Sequence, residues 1–336
     1  MGQSRKGRRH PRRLMPARHF CACAALLVAG GTGAQAQPYP TKPIRIVVPL
    51  AAGGTGDTLA RLVAEKLGAA YGQQVVADNR PGANGIIGTD LVAKASPDGY
   101  TLLSASTGNT AINAGFYGAR LPFNVERDLV AVTQIATTTS VVIVFPAFSA
   151  KSIKDLIALA KAKPGSVNYA SAGTGSAVHL GTALFESMAG IKMTHVPYKG
   201  STQGRIAVVS GETDLMFDGL LPSLPLIKAG KLRALGVTAV KRSSVVPDIP
   251  TIAETVPGYS ADTWYGVFAP HGTPKHIVAK LHDTIARALQ TAEMKEKLLA
   301  QGAEPSGNTP EQFAAFLKSE IVKWGKVIKD SGAKPE

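Results

Sequence analysis

The sequence predicts an α/β protein of two similar lobes, and three observations carry that prediction. Apolar, β-rich runs alternate with helical patterns along nearly the whole chain, which is the signal of largely parallel sheets flanked by helices. A strand that breaks into a glycine loop and opens a helix occurs at residues 46–61 (IVVPLAAGGTGDTLAR) and again at residues 167–180 (VNYASAGTGSAVHL). Between them, residues 132–145 form a long β-branched run that fits a strand leaving one lobe and entering the other.

In order along the chain, a strand at 44–49 leads through the first glycine loop into a helix at 57–71. A strand at 74–78 follows, then the turn composition Asn79-Arg80-Pro81-Gly82 and a short helix near 85–95. Ser96-Pro97-Asp98-Gly99 is a second turn before a strand at 100–104, completing a βαβαβ unit. After the long run comes a helix at 152–161, with Ser152 as N-cap, Asp155 three residues on in the manner of a capping box, and Pro164-Gly165 closing it. The second glycine loop enters a helix at 177–189. A strand at 192–196, a helix at 202–209 and a strand at 214–217 complete a second unit, with 232–238 as a return strand. The C-terminal part reads as a helix at 275–299 and a last helix to residue 329, opened by Thr309 with Pro310 at its first position and packing around the first lobe. The implied organisation is lobe 1 from 37–138 and 237–336, lobe 2 from 139–236. Two crossings make a hinge, and the ligand crevice lies at the carboxyl ends of the strands.

Residues 1–36 read as a removed secretory signal and not as part of the fold. Seven basic residues and no acidic one precede the apolar run 20–31, and Ala34-Gln35-Ala36 supplies a small-x-small cleavage site. The apolar run is far short of the ~20 residues of a membrane span, and no other stretch is long and apolar enough. Paired arginines at 8–9 and 12–13 raise a twin-arginine route beside the ordinary one, and Met15 is an alternative start. Both cysteines, Cys21 and Cys23, fall inside this segment, so the mature chain of 300 residues is held by its core and not by disulfides.

Removal of the signal takes the formal charge from +14 to +7. The remaining Lys and Arg are scattered, aromatics are few and no nucleic-acid-binding motif is present, so the charge suits attraction of a small acid and not a duplex.

The glycine loops aim backbone N–H groups at an anion, because glycine permits close approach and a helix N-terminus favours negative charge. In the first, Gly54-Thr55-Gly56 followed by Asp78 raises a dinucleotide reading. Leu59 stands where the third glycine belongs, and an exported protein meets little NAD. No Gly-Lys-Ser or Gly-Lys-Thr follows for a Walker loop. Asp57 reads as an N-cap, as a residue shaping the loop, or as both. Ser176 and His179 raise a nucleophile–base pair, but no Gly-x-Ser-x-Gly elbow surrounds Ser176, and capping is the plainer role. His179, His195, His271, His276 and His282 lack metal-ligand spacing, so neither a metal nor a cofactor is expected. Trp264, Tyr265 and Phe268 fit core packing or a pocket wall. Asp218, at the end of a strand, either faces the crevice or caps a turn.

Taken in order, several short motifs resemble one family. They are Tyr39-Pro40-x-Lys42-Pro43-Ile44-Arg45; Val48-Pro49-x-Ala51-x-Gly53-Gly54-x-x-Asp57-x-x-Ala60-Arg61; Val76-x-Asp78-Asn79-Arg80-Pro81-Gly82-Ala83; Lys94-Ala95-x-Pro97-Asp98-Gly99-Tyr100-Thr101-Leu102-Leu103; Ser171-Ala172-Gly173-x-Gly175-Ser176-x-x-His179-Leu180; His195-Val196-Pro197-Tyr198-Lys199-Gly200; and Pro247-Asp248-Ile249-Pro250-Thr251. The chain resembles the substrate-binding receptors of tripartite tricarboxylate transporters, the Bug family of periplasmic solute-binding proteins.

The resemblance implies a two-lobed venus-flytrap fold of the type II periplasmic-binding class, each lobe a mixed, mostly parallel sheet flanked by helices. It implies a ligand carboxylate held by both loops, partly through water. Carried over by position, the first loop is Leu50, Ala51, Ala52, Gly53, Gly54, Thr55 and Asp57. The second is Ser171, Ala172, Gly173, Thr174, Gly175 and Ser176 with His179. Ser106, Thr107, Asn109 and Asp218 would face the rest of the ligand. The implied protein is a monomer that presents its ligand to membrane permease subunits and does no chemistry; an exported hydrolase acting through Ser176 and a sensory module are the alternatives. The chain departs from the family's pattern at Leu50, where many members carry a small or aromatic residue, and at Gly56, where many have threonine.

Overall fold

The computed structural model describes residues 39–334, and the expected signal segment 1–36 lies outside them. The first unit runs β1 (Ile44–Val48), α1 (Thr55–Tyr71), β2 (Val75–Asn79), α2 (Ile86–Ala93) and β3 (Thr101–Ser106). Two short helices follow, α3 (Asn113–Tyr117) and α4 (Val125–Asp128). The long apolar run resolves into two strands, β4 (Leu129–Thr138) and β5 (Ser140–Val144), with Thr139 alone between them. Then come α5 (Ile153–Ala162), β6 (Asn168–Ser171), α6 (Ala177–Ala189), β7 (Thr194–Pro197), α7 (Ser201–Ser210), β8 (Leu215–Gly219), α8 (Leu220–Lys228) and β9 (Arg233–Val237). The chain closes with β10 (Thr263–Pro270), α9 (Lys275–Gln290), α10 (Ala292–Leu299), β11 (Ala303–Pro305) and α11 (Pro310–Ser331).

These strands form two sheets. One is ordered β11-β4-β10-β3-β1-β2 and the other β7-β6-β8-β5-β9. In each, the half that carries a glycine loop is parallel: β2, β1 and β3 in the first, β7, β6 and β8 in the second. The other half is antiparallel and contains the strands nearest the crossings, β4 and β10 in one sheet, β5 and β9 in the other. Each glycine loop therefore leaves the carboxyl end of a parallel strand and enters the helix that crosses to its neighbour, the position where open α/β sheets bind ligands.

Three expectations are corrected. The helix expected over 275–299 breaks at Thr291, whose extended backbone ends α9 while its hydroxyl accepts from the Met294 N–H (3.3 Å) to start α10. The last helix packs not only on β4 and α3 but also along α6, so it bridges the two sheets. Its buried Leu317, Trp324 and Val327 join Leu180, Ala183 and Phe185 of α6 in one apolar cluster that also contains Leu103, Phe116 and Phe268. The capping box of α5 is displaced by one residue: Ser152 accepts from the Asp155 N–H (3.1 Å), but the Asp155 carboxylate accepts from Lys151 (3.1 Å).

The crossings are stitched by side chains. Thr238 Oγ1 accepts from the Ser140 N–H (2.9 Å) and lies 2.7 Å from Asp262 Oδ1, so the first crossing is tied to both ends of the second, residues 238–262. Lys323 of α11 donates to the Ser260 carbonyl nearby (3.4 Å).

Candidate functional site

The first loop begins where Pro49, which has no N–H, ends β1. Gly53 takes φ +82°, and α1 opens at Thr55 with Gly54 as its N-cap. Asp57 is thus the third residue of the helix and not its cap. Its buried carboxylate reaches back to accept from the Gly53 N–H (2.9 Å). Asn79, at the end of β2, donates to Asp57 Oδ1 (3.0 Å) and to the Leu50 carbonyl (3.1 Å), and Arg61 adds a hydrogen bond to Asp57 Oδ2 (3.1 Å). Burial alone would raise the Asp57 carboxyl, but Arg61, the Gly53 N–H and Asn79 together hold it below the usual carboxylate value. Asp57 therefore works as an anchor: charged and spent within the protein, it fixes the loop. The N–H groups of Ala51 and Ala52 have no protein acceptor among the described residues.

Leu50 folds over Gly56. A Cβ at Gly56 would lie 2.4 Å from Leu50 Cδ1 and 3.1 Å from the Tyr265 ring. The two departures noted in the sequence are one packing change, a larger side chain accommodated by removal of its neighbour's.

The second loop is built on rings. Gly173 (φ +114°) donates to Ser171 Oγ (3.0 Å), and Gly175 (φ +78°) donates to His179 Nδ1 (3.1 Å). An accepting Nδ1 fixes His179 as neutral with its proton on Nε2. Burial, with His195 beside it, pushes the His179 imidazole down to about 4. His195 stacks on it at 4.1 Å between centroids, lies against Tyr169 at 5.0 Å, and shares a hydrogen bond of 2.6 Å with Ser171 Oγ. Ser176 caps α6, its hydroxyl accepting from the His179 backbone N–H (3.2 Å). The Ser176 hydroxyl is thus turned to the helix backbone, and the His179 ring is turned to Gly175. The serine–imidazole contact that does exist, Ser171 with His195, joins the end of β6 to β7, and the same Ser171 hydroxyl accepts from the Gly173 N–H, so it serves the loop.

A cleft cavity of about 290 Å³ brings the loops together: Leu50 and Ala51 line it from the first, Gly175, Ser176 and Ala177 from the second. Ser106, the last residue of β3, and Asn109 just beyond it line the cavity, held to each other by Ser106 Oγ donating to Asn109 Oδ1 (2.9 Å). No charged side chain is among its lining residues. Gly173 and Thr174 instead line an adjoining cavity of about 370 Å³. Ala52, Gly53, Gly54, Thr55, Asp57, Ser171, Ala172 and His179 are not among the residues lining the first cavity; Ala52, Gly53 and Gly54 are exposed, and Asp57, Ser171 and His179 are buried. Thr107 stitches β3 to β10, donating its N–H to the Trp264 carbonyl (3.0 Å) and accepting the Trp264 N–H on Oγ1 (3.0 Å). Asp218 is buried in an ion pair with Arg205, accepts from Ser223 Oγ (2.7 Å), and is not among the residues lining either cavity.

Asn84 and Asn113 are among the lining residues that the sequence reading did not place in the site, with Pro49, Pro81, Gly82, Gly85, Gly108 and Ala177. Residues Gly82, Ala83, Asn84 and Gly85 all have positive φ, including +46° and +53° at the two non-glycine positions. The Asn84 carbonyl is pinned there by side-chain amides of Asn109 (2.9 Å) and Asn113 (3.0 Å). Asn84-Gly85 is itself a turn signal that could have marked the spot. A Cβ on Gly85 would fall 2.2 Å from Asn109 Nδ2, which explains the glycine. Trp264 and Phe268 are core residues; Trp264 Nε1 donates to the buried Glu320 (3.0 Å).

A family profile described as the tripartite tricarboxylate transporter family receptor matches residues 59–333. BugT of Bordetella pertussis is 38% identical over 301 residues, covering 89% of this chain and 92% of that protein. An R. palustris structure with adipate superposes with a TM-score of 0.75 at 38% identity, covering 89% of this chain and 100% of that one. MatC from Rhodopseudomonas palustris with bound malate gives 0.72 at 31% identity, covering 86% and 100%.

Proposed function

This chain belongs to the tripartite tricarboxylate transporter receptor family, and on that premise we propose that its cleft captures a small carboxylate-bearing metabolite between two lobes and hands it to membrane transport subunits. The family is one of receptors and not of enzymes, so the hydrolase alternative through Ser176 falls away. The observation that carries the ligand class is a cavity walled by both glycine loops and free of charged side chains. A carboxylate there meets amides: Ala51 on one side, the first turn of α6 at Ala177 on the other, and the side-chain amide of Asn109. Helix N-termini leave their first N–H groups without intrahelical partners and favour negative charge, and hydrogen bonds to a charged acceptor contribute roughly 1.5–3 kcal/mol each. In relatives of similar build the bound molecules are adipate and malate.

In this reading the lobes are 37–138 with 237–336, and 139–236, and the protein is a periplasmic monomer exported through cleavage of residues 1–36. Leu50, Ala51, Gly175, Ser176, Ser106 and Asn109 touch ligand. Asp57, Thr107 and His179 position the backbone that does, while Asp218 is held by Arg205 and Ser223. No helix among the described residues is long and apolar enough to cross a membrane; in this reading, which rests on the family, permease subunits supply the passage.

A thermal-shift screen of residues 37–336 against carboxylates, amines, sugars and metal ions tests the ligand class, because a ligand that binds only the folded state raises the melting temperature. Stabilisation confined to carboxylates is the expected result. Stabilisation by another class with none by carboxylates would overturn it.

A further inference from the structure

The charge of this chain is unevenly placed. Of the formal +7 carried by residues 37–336, +5 falls in residues 139–236, which hold eight lysines and two arginines against five acids. Both arginines are spent inside the fold: Arg205 pairs with Asp218, and Arg233 donates to the carbonyls of Pro146 and Phe148. All eight lysines are exposed, and none makes an ion pair among the described residues. Six lysines outside this span do.

Topology gathers most of them at one end. Strands β6, β7 and β8 are parallel, with the second glycine loop at the carboxyl end of β6, so their amino ends form the pole away from the cleft. Lys161 and Lys163 precede β6 and Lys192 precedes β7, and the Gly165 N–H donates to the Lys192 carbonyl (2.8 Å), which joins the two approaches. Strand β9 starts at the same pole, its Arg233 opposite Val144 of β5, which faces Leu215 at the start of β8; Lys228 and Lys231 lead into it. The acids at this end are engaged: Asp214 accepts from the Asn168 N–H (2.7 Å) and Glu212 from the Tyr198 hydroxyl (2.8 Å). A helix C-terminus favours a cation, which suits Lys161 and Lys228, but Lys163, Lys192 and Lys231 lie beyond the helices. Beside them a surface cavity of about 360 Å³ is lined by Lys154 and Lys161 of α5 with the apolar Ile157, Met188, Val256 and Pro257. Met188 is 40% exposed.

We propose that this pole is a docking surface for the anionic phospholipid headgroups of a membrane surface, with Met188 and the groove beside it taking the apolar edge of the headgroup layer. Flexible ammonium groups without fixed partners suit a fluid sheet of phosphates. A folded acidic partner is better matched by the planar fork of arginine, and both arginines here are already engaged. Each lysine close to an anionic bilayer raises partitioning roughly fivefold. Docked by this pole, the protein keeps its cleft clear of the bilayer and open to solute. Lys161, Lys163, Lys192, Lys228 and Lys231 line neither cleft cavity, so the docking surface is independent of what the cleft binds.

The test is co-sedimentation of residues 37–336 with vesicles of equal parts phosphatidylcholine and phosphatidylglycerol, compared with pure phosphatidylcholine vesicles and with retention on immobilised polyglutamate. Binding to the anionic vesicles and not to the neutral ones is expected at low salt, with loss in ~1 M NaCl, where the Debye length is about 3 Å. Lys161→Glu, Lys163→Glu and Lys192→Glu together weaken it roughly tenfold or more. The same reversal at Lys275, Lys295 and Lys318, also exposed and outside any ion pair among the described residues, changes the net charge equally and leaves binding within about twofold. All six positions are exposed, so both variants fold, and an unchanged melting temperature checks this. No preference for anionic vesicles, or equal weakening by the two triple variants, overturns the docking surface. Retention on polyglutamate without vesicle binding assigns the pole to an acidic protein and overturns it as well. In each of these cases the carboxylate reading of the cleft stands or falls by its own screen.

Discussion

Gly175 carries three duties at one Cα. It holds φ +78°, sends its N–H to His179, and receives the Phe116 ring. Gly175→Ala therefore costs on the order of 1–2 kcal/mol from the left-handed backbone, with an added clash against Phe116, and denaturant titration reads the loss. Leu50 and Gly56 make a coupled pair. Gly56→Ala places a methyl group against Leu50, and Leu50→Ala should relieve it, so a double-mutant cycle is expected to show an interaction of roughly 0.5–3 kcal/mol; additivity would contradict the packing account. His179 shows where sequence reading stops. Its spacing from Ser176 raised a nucleophile–base pair beside the plainer role of a cap; the cap is what forms, and the ring turns to Gly175 with His195 and Tyr169 stacked on it. That stack joins β6, β7 and α6, and no local spacing reveals it.

At the scale of elements, the legible parts were those whose turn chemistry and period agree. The bounds of α6 and the start of α11 at Pro310 follow the caps at Ser176 and Thr309. The missed strand β10 is buried on both faces and interrupted by Gly266, where a Cβ would strike the Phe313 ring at 2.2 Å, so its pattern neither alternates nor stands out from a core cluster. The crossings carry a titrating group of their own. Asp262 is pushed up to about 7, chiefly by burial, with the Thr238 hydroxyl lowering it, Glu304 and Glu320 raising it and Lys323 lowering it. A carboxyl raised in the folded state loses stability as pH rises from its unfolded value near 4 to about 7. His179 works in reverse: neutral in the fold down to about 4, it adds stability as pH rises from there to its unfolded value near 6.5. The two slopes oppose each other over the same window, each approaching ~1.4 kcal/mol per pH unit. Asp262→Asn should unmask the histidine, turning a nearly flat stability profile between pH 4.5 and 6.5 into a rising one; an unchanged profile in chemical denaturation would show that Asp262 does not titrate there.

At the scale of the molecule, the repeated strand–loop–helix device was visible because each copy is local, contained within about sixteen residues of sequence. Their convergence on one cavity was expected from the pairing of the loops and from the family resemblance, while the residues that wall it depend on which sheets the crossings join. The segments β4 and β5, separated by Thr139 alone, carry the chain from one sheet to the other, and residues 238–262 bring it back. Helix α11 then ties the sheets, its buried Trp324 and Leu317 joining residues of α6 in one apolar cluster beside the two crossings. Trp324→Ala should cost about 3–5 kcal/mol as a large buried side chain, read by thermal or urea unfolding, whereas an exposed α11 residue such as Val322 should tolerate alanine with little change. The central claim is that backbone amides from both loops grip a carboxylate. Calorimetric titration with the best acid from the screen and with its primary amide, equal in shape but uncharged, tests it most directly. The account predicts that the amide binds at least a hundredfold more weakly; equal affinity for the two would contradict it.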